Sequence, residues 1–292
     1  MRTVAVIGTG RMGGAMAATI TRAGFDTILW NRDPAKAATV AEVCGAPVAA
    51  TPAEAASKAD VVLTSLADDA AVDEVYLGAD GVVEGIAADG VALDTSTIDP
   101  ETVRRIGDAV DTAGAGFLDC PVSGSVSTVE AGTLTIMAGG DPDLIDRVRP
   151  VLDALAAKVV HTGGRGSGSA TKLAINSLVH AIDVALSESL VLAERAGVDR
   201  MTAYDVFASG ATGAPFLQYK RAAFEDPEGT PVAFTIELQA KDLELITALA
   251  ERVGAPMRQT ATTYEIVRDA VANGFADRDL SAIAVFLREG AG

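Results

Sequence analysis

A chain of 292 residues has room for two domains at roughly 150 residues each. With 49% hydrophobic and 22% charged residues it is not disordered throughout. The 40 Asp and Glu against 23 Lys and Arg leave a formal net charge of −17, which argues against nucleic-acid and membrane partners while leaving room for a small anion in a local basic pocket. Two Cys and two His are too few for a zinc cluster or a disulfide framework, so no metal centre is expected and a reducing, cytoplasmic setting fits best. Apolar runs fall short of the roughly 20 residues a membrane helix needs, and Gly8, Gly10 and Arg11 break the apolar start too early for a signal peptide.

In chain order, Val4–Ile7 (VAVI) reads as a buried strand, Gly13–Ala23 as a helix closed by Gly24, and Thr27–Trp30 as a second strand. Val61–Thr64, Val91–Leu93, Gly116–Leu118 and Thr133–Ala138 read as further strands, with Ala-rich helical segments between several of them. This alternation predicts an α/β fold, a doubly wound and mostly parallel sheet covered on both faces. After Val159-Val160 the pattern changes to a Gly/Ser-rich stretch without period, HTGGRGSGSATK. A single long helix follows over Ser169–Ala196, roughly 40 Å in length. Ile175, Leu178, Val179, Ile182, Leu186 and Leu190, at spacings of three and four, mark its expected apolar face. Met201–Ala208, Ile236–Val253, Met257–Asn273 and Leu280–Arg288 read as helices. The expected domains are therefore 1–163, with the sheet, and 164–292, an all-α domain entered by the long interdomain helix.

Gly8-Thr9-Gly10-Arg11-Met12-Gly13 follows a strand and opens a helix. In that context GxGxxG predicts a dinucleotide site, with a tight turn at Gly8, close approach of a pyrophosphate at Gly10, close helix–strand packing at Gly13, and the anion held on the amides of the helix start. The second strand runs into Asn31-Arg32-Asp33. An NAD site carries an acid at its end for the ribose 2′-hydroxyl; the neutral Asn31 followed by Arg32 favours a 2′-phosphate, and hence NADP over NAD. The other assignment leaves Arg32 as a surface cation and gives the ribose to Asp33. Lys172 stands in the expected first turn of the long helix, with Asn176 four residues on and on the same face. A helix N-terminus disfavours the cationic amine, the condition under which a lysine serves as general base toward a hydroxyl and as acid in reverse. The plain alternative is a solvated lysine. His161 and His180 lack a partner motif and read as structural or exposed, Cys120 as a buried thiol, and Trp30 as packing.

Five segments in order, VAVIGTGRMGGAM near the start, DCPVSGS at 119–125, GTLTIMAGG at 132–140, GSGSATKLAIN at 166–176 and FTIELQAKDL at 234–243, give the chain its resemblance to the β-hydroxyacid dehydrogenases, the family of 3-hydroxyisobutyrate dehydrogenase and the glyoxylate/succinic semialdehyde reductases. The resemblance spans essentially the whole chain. It implies a Rossmann domain followed by a helical substrate and oligomerisation domain, a small carboxylate substrate, NADP with NAD possible, and a homodimer or homotetramer. By position it implies that Lys172 is the catalytic lysine and Asn176 its companion, and that Ser123 and Gly124 hold the substrate carboxylate. Thr97 would contact the nicotinamide half of the cofactor, Ser65 and Leu66 would line its path, and Lys241 would reach back to the cofactor. The chain departs from the family pattern at Ile175, where a polar residue is usual, and at Ser125, where a glycine is usual, so the substrate is left open. The related 6-phosphogluconate enzymes are much longer, and the imine reductases usually replace the lysine. Two other functions compatible with a glycine-rich turn are a non-catalytic NADP-binding sensor or interaction module and a methyltransferase using S-adenosylmethionine; Lys172 with Asn176 and the late KDL segment speak for neither.

Overall fold

The computed structural model describes residues 2–290. The first of two compact units, ending at Lys172, contains β1 (Thr3–Ile7), α1 (Arg11–Arg22), β2 (Asp26–Trp30), α2 (Pro34–Cys44), α3 (Pro52–Ser57), β3 (Val61–Thr64), α4 (Asp69–Leu77) and α5 (Val82–Gly85). It continues through β4 (Val91–Asp94), α6 (Pro100–Thr112), β5 (Gly116–Asp119), β6 (Val122–Ser123), α7 (Val126–Glu130), β7 (Leu134–Gly139), α8 (Pro142–Leu155) and β8 (Ala156–Gly163). The sheet order is β2-β1-β3-β4-β5-β7-β6, with β8 paired to β7. β1 to β5 are parallel; β7 is antiparallel to β5 and β6. Thus the sheet is mostly parallel and doubly wound, with a reversed strand that the run Thr133–Ala138 did not announce.

Alternation along β1 explains the two layers. Val4 and Val6 face a core shared with Met16, Ile20, Val148 and Leu152, while Ala5 and Ile7 face one shared with Val72, Tyr76, Val103 and Ile106. Each fully buried Val or Ile contributes about 1.5–3 kcal/mol. Four helices of this unit begin with the same local device. Asp33, Thr51, Asp99 and Asp141 cap α2, α3, α6 and α8 through side-chain oxygens, and in each the next residue is proline. The cap satisfies a free amide, and the proline brings a φ already suited to the helix.

The second unit, beginning at Leu173, is helical: the body of α9 (Ser167–Arg195), then α10 (Arg200–Ser209), α11 (Pro215–Glu225), α12 (Ile236–Val253) and α13 (Arg258–Ala270). A π turn at Val271–Phe275 and a 3-10 turn at Leu280–Ala282 lead to α14 (Ile283–Glu289). One apolar cluster joins Leu173, Val184, Ile246, Val267 and Ile283; another joins Leu186, Leu190, Tyr204, Phe216 and Phe224.

Expectations change at several points. The stretch HTGGRGSGSATK is mostly ordered: its first three residues end β8, and α9 begins at Ser167. The compact units divide at Lys172–Leu173, since the start of α9 is bonded to the sheet through Asp119, described below. Finally, the apolar row read from the sequence supplies only part of the buried face of α9, Leu186 and Leu190. Leu178 is 64% exposed, while Asn176, His180, Asp183 and Ser187 are buried. By length and apolarity α9 also passes the test for a membrane-spanning helix, which corrects the expectation that no segment comes near it.

Candidate functional site

The strand order places β2 and β3 on opposite sides of β1, so the chain reverses its winding there and leaves a crevice at the carboxyl ends of the strands. The glycine turn lies at that point. Gly8 has φ +92°, a left-handed conformation, and a Cβ there would overlap the Ser65 carbonyl; a Cβ on Gly13 would overlap the carbonyl of Gly8. Packing alone therefore requires these two glycines. Gly10 differs, since a Cβ there would meet nothing within 4 Å. Gly10 is the N-cap of α1 and offers no side-chain cap, so the first amides of the helix are left for a ligand. The Thr9 hydroxyl is buried without a hydrogen-bond partner. Open space, uncapped amides and an orphaned hydroxyl fit a bound pyrophosphate. Arg11 is exposed and Met12 half-buried at the mouth of this turn.

Asn31 supports the turn from below. Its Oδ1 accepts the Thr9 amide at 3.0 Å, and its Nδ2 donates to the Asp33 carbonyl at 3.0 Å. Asp33 accepts the Ala35 amide at 3.0 Å as the α2 cap. Arg32 extends into solvent, 79% exposed, 3.5 Å from Glu74. Asp33 thus spends one carboxylate oxygen on the cap, and Arg32 stands exposed at the rim.

Ser65 and Leu66 follow β3. The Ser65 amide donates to the Ile7 carbonyl at 3.0 Å, and the Leu66 amide to Ser96 Oγ at 2.9 Å. Thr97 follows on the loop after β4, half-buried. Asp94, at the end of β4, accepts the Ser96 amide at 2.8 Å through Oδ1. Burial pushes its carboxyl up to about 6. Asp119, in register with Asp94 on β5, accepts the Gly166 and Ser169 amides, each at 2.9 Å. Burial raises this carboxyl too, and the two amides oppose the rise. Asp119 therefore clamps the start of α9 to the end of β5. Ser123 lies half-buried in β6, opposite Thr135. Gly124 has φ +150°, and a Cβ there would run into Thr128 and Leu134. The Ser125 amide donates to Thr128 Oγ1 at 2.7 Å, and its hydroxyl lies 2.8 Å from that of Ser127.

On α9, Lys172 is the sixth residue and half-buried. This corrects its expected first-turn position: it lies beyond the end turn in which the helix field acts. One turn on, Asn176 is buried and donates to Asp242 Oδ2 at 2.6 Å. Lys241 places its ammonium 2.8 Å from Asp242 Oδ1, and His180 Nε2 lies 3.6 Å from Oδ2. Burial alone would raise the Asp242 carboxyl; the His180 ring and the Lys241 charge outweigh it and hold it at about 2. A turn further, Gln239 donates to the buried Asp183 at 3.1 Å. The structure thus gathers Asn176 and Lys241 around Asp242, a residue sequence reasoning passed over. His180, expected to lack a partner, belongs to the same cluster. The signals were present as Asn176 and His180 at a spacing of four and as the acid of the KDL segment. His161 is exposed and bonds the Gly140 and Gly163 carbonyls, while Cys120 is buried.

Comparisons with known proteins bear on both units. Residues 3–163 match the family model for the NAD-binding domain of 6-phosphogluconate dehydrogenase, and residues 166–287 the model described as NAD-binding of NADP-dependent 3-hydroxyisobutyrate dehydrogenase. Glyoxylate/succinic semialdehyde reductase 1 of Arabidopsis thaliana is 33% identical over 280 residues, covering 96% of each chain. Among solved structures, 3-hydroxyisobutyrate dehydrogenase from Salmonella typhimurium matches with a TM-score of 0.90 and 27% identity over 98% of this chain and 100% of that one. The Mycobacterium tuberculosis 3-hydroxyisobutyrate dehydrogenase with L-serine matches with a TM-score of 0.85 and 30% identity over 99% of each.

Proposed function

Because the chain belongs to the β-hydroxyacid dehydrogenase family of NAD(P)-dependent oxidoreductases, we propose that it interconverts a small β-hydroxy acid and its semialdehyde with NADP, and that Lys172 carries the proton. The observation that carries this reading is the buried array around Asp242. A solvated face would leave Asn176 and Lys241 in water; here one ionised carboxylate holds both. Asn176 stands one helical turn from Lys172, so fixing its amide supplies a rigid hydrogen-bonding group beside the proton carrier.

The nicotinamide, when bound, exchanges a hydride with the substrate carbon. The chain's residues do the rest. In the oxidative direction the Lys172 amine takes the proton of the substrate hydroxyl, and in reduction its ammonium returns one to the carbonyl oxygen. Asn176 orients that oxygen. Ser123, Gly124 and Ser125 hold the carboxylate through hydroxyls and amides. The start of α1 takes the pyrophosphate, with Ser65, Leu66, Thr97 and Lys241 along the remainder of the cofactor and Arg32 at the 2′-phosphate. Ile175 and Ser125 shape the substrate pocket, and the relatives' names supply the compounds to try first.

The test is a steady-state panel. The purified chain is offered NADPH and NADH with glyoxylate, succinic semialdehyde and methylmalonate semialdehyde, and NADP and NAD with L-serine and 3-hydroxyisobutyrate. Turnover favouring the phosphorylated cofactor is expected. Tight NADPH binding without turnover on any of these acids would overturn the proposed substrate class.

A further inference from the structure

Glu74 is the acid that faces Arg32. Its Oε2 lies 3.5 Å from Arg32 Nη1, with the two side chains 64% and 79% exposed. Arg32 follows β2 and Glu74 sits on α4, which follows β3. Since β2 and β3 flank β1, the ion pair reaches across the carboxyl end of β1, where the turn Gly8–Gly13 opens. The neighbouring acids are otherwise engaged. Asp73 holds Arg105 through both oxygens at 2.6 and 2.9 Å. Asp68 caps α4 through the Ala71 amide at 2.8 Å, and Asp69 accepts the Asp99 amide at 3.0 Å. Asp33 caps α2.

We infer that Glu74 is the residue that sets how strongly this chain discriminates between NADP and NAD. The inference rests on the reading of Arg32 as the 2′-phosphate partner. A carboxylate and a phosphate compete for the same guanidinium donors. When the ribose carries a free hydroxyl, Glu74 neutralises Arg32. When the ribose carries a phosphate, Arg32 must leave Glu74, and the carboxylate remains within a few ångströms of a dianion. The lost pair and the new repulsion both weaken NADP binding and leave the uncharged hydroxyl of NAD largely indifferent. Both charges are exposed, so the effect is modest, about 3–10-fold in relative affinity.

Trp30, the single tryptophan of the chain, immediately precedes Asn31-Arg32 and gives a binding signal independent of turnover. NADPH and NADH are titrated at low ionic strength into the full-length chain and into Glu74→Gln, Arg32→Ala and the double variant. The expected result is that Glu74→Gln raises the NADPH-to-NADH affinity ratio by about 3–10-fold and that the gain disappears when Arg32 is absent. An unchanged or lowered ratio in Glu74→Gln, or the same gain in the Arg32→Ala background, overturns the inference. The underlying reading is tested separately. If Arg32→Ala leaves the ratio of the native chain unchanged, Arg32 is not the phosphate partner and both ideas fall. If Arg32→Ala abolishes the ratio while Glu74→Gln does nothing, only the role of Glu74 falls. A native chain without preference that gains one in Glu74→Gln keeps the role of Glu74 and removes the NADP preference.

Discussion

Lys172 and Asp94 have functions that a single substitution can separate. Lys172→Ala removes the proposed proton carrier while leaving the glycine turn untouched. Turnover should fall about 10²–10⁴-fold, the usual contribution of general acid–base catalysis, with NADPH affinity retained; near-normal turnover in that variant would remove the lysine from the mechanism. Asp94 makes its point through stability. Its carboxyl titrates at about 6 in the folded chain, against an ordinary value of 3.8. A raised carboxyl favours the protonated fold, so stability declines as pH rises from 3.8 through 6 and levels off above. Holding the ionised form in the fold at neutral pH therefore costs about 3 kcal/mol. Asp94→Asn keeps an acceptor for the Ser96 amide and loses the charge. Its urea midpoint should exceed that of the native chain at pH 7, and the advantage should vanish near pH 4. Equal midpoints at pH 7 would mean that Asp94 is not charged at cost in the fold.

At the scale of elements, what the sequence disclosed followed the kind of signal each element carries. Val4–Ile7, Val61–Thr64 and Val91–Leu93 were readable because a parallel strand buried on both faces is a continuous apolar run. β8 was hidden because only its first residue is buried, and its last residues, His161, Thr162 and Gly163, look like a linker. α11 was hidden between Gly210 and Pro231, where turn residues mask an eleven-residue helix. The long helix was placed within two residues, but its apolar row gave only part of its buried face. Its apolar residues lie around much of the circumference, so periodicity does not select one side, and the buried polar row is stable only because α12 supplies Asp242 and Gln239 more than 50 residues away. The sequence holds each half, Asn176 with His180 on α9 and the acid of the KDL segment on α12, but nothing in it pairs them. The Asp119 clamp, the same kind of long-range bond, yields a test. Asp119→Ala leaves the Gly166 and Ser169 amides buried without an acceptor, and should cost about 2–4 kcal/mol. The loss is measured as a lowered Tm together with faster amide exchange in the first turn of α9; an unchanged Tm would show that the helix start is held by other contacts.

For the whole molecule, the charge of −17 and the proposed affinity for an anionic cofactor are compatible because the two act at different ranges. Screening at physiological ionic strength confines the field of distant carboxylates to about 8 Å, whereas helix amides and a guanidinium act in contact. The other property of the whole molecule is assembly. Leu178 and Leu192 lie 64% and 71% exposed on α9, side chains of a type that subunit packing covers. With the family reading this leads us to expect a closed homodimer or homotetramer. Light scattering on the eluting protein should give two or four times the chain mass at micromolar concentration, and a mass of one chain would sink that expectation.

The three glycines of the turn are also under different constraints. Gly8 and Gly13 are enforced by neighbouring carbonyls within the chain, whereas the space over Gly10 is one that only a guest fills. A descendant lineage that abandoned its dinucleotide would be free to drift at Gly10 and would still be held to Gly8 and Gly13. Substitution at the middle glycine alone is therefore the mark by which a retired member of this lineage would be known from a working one.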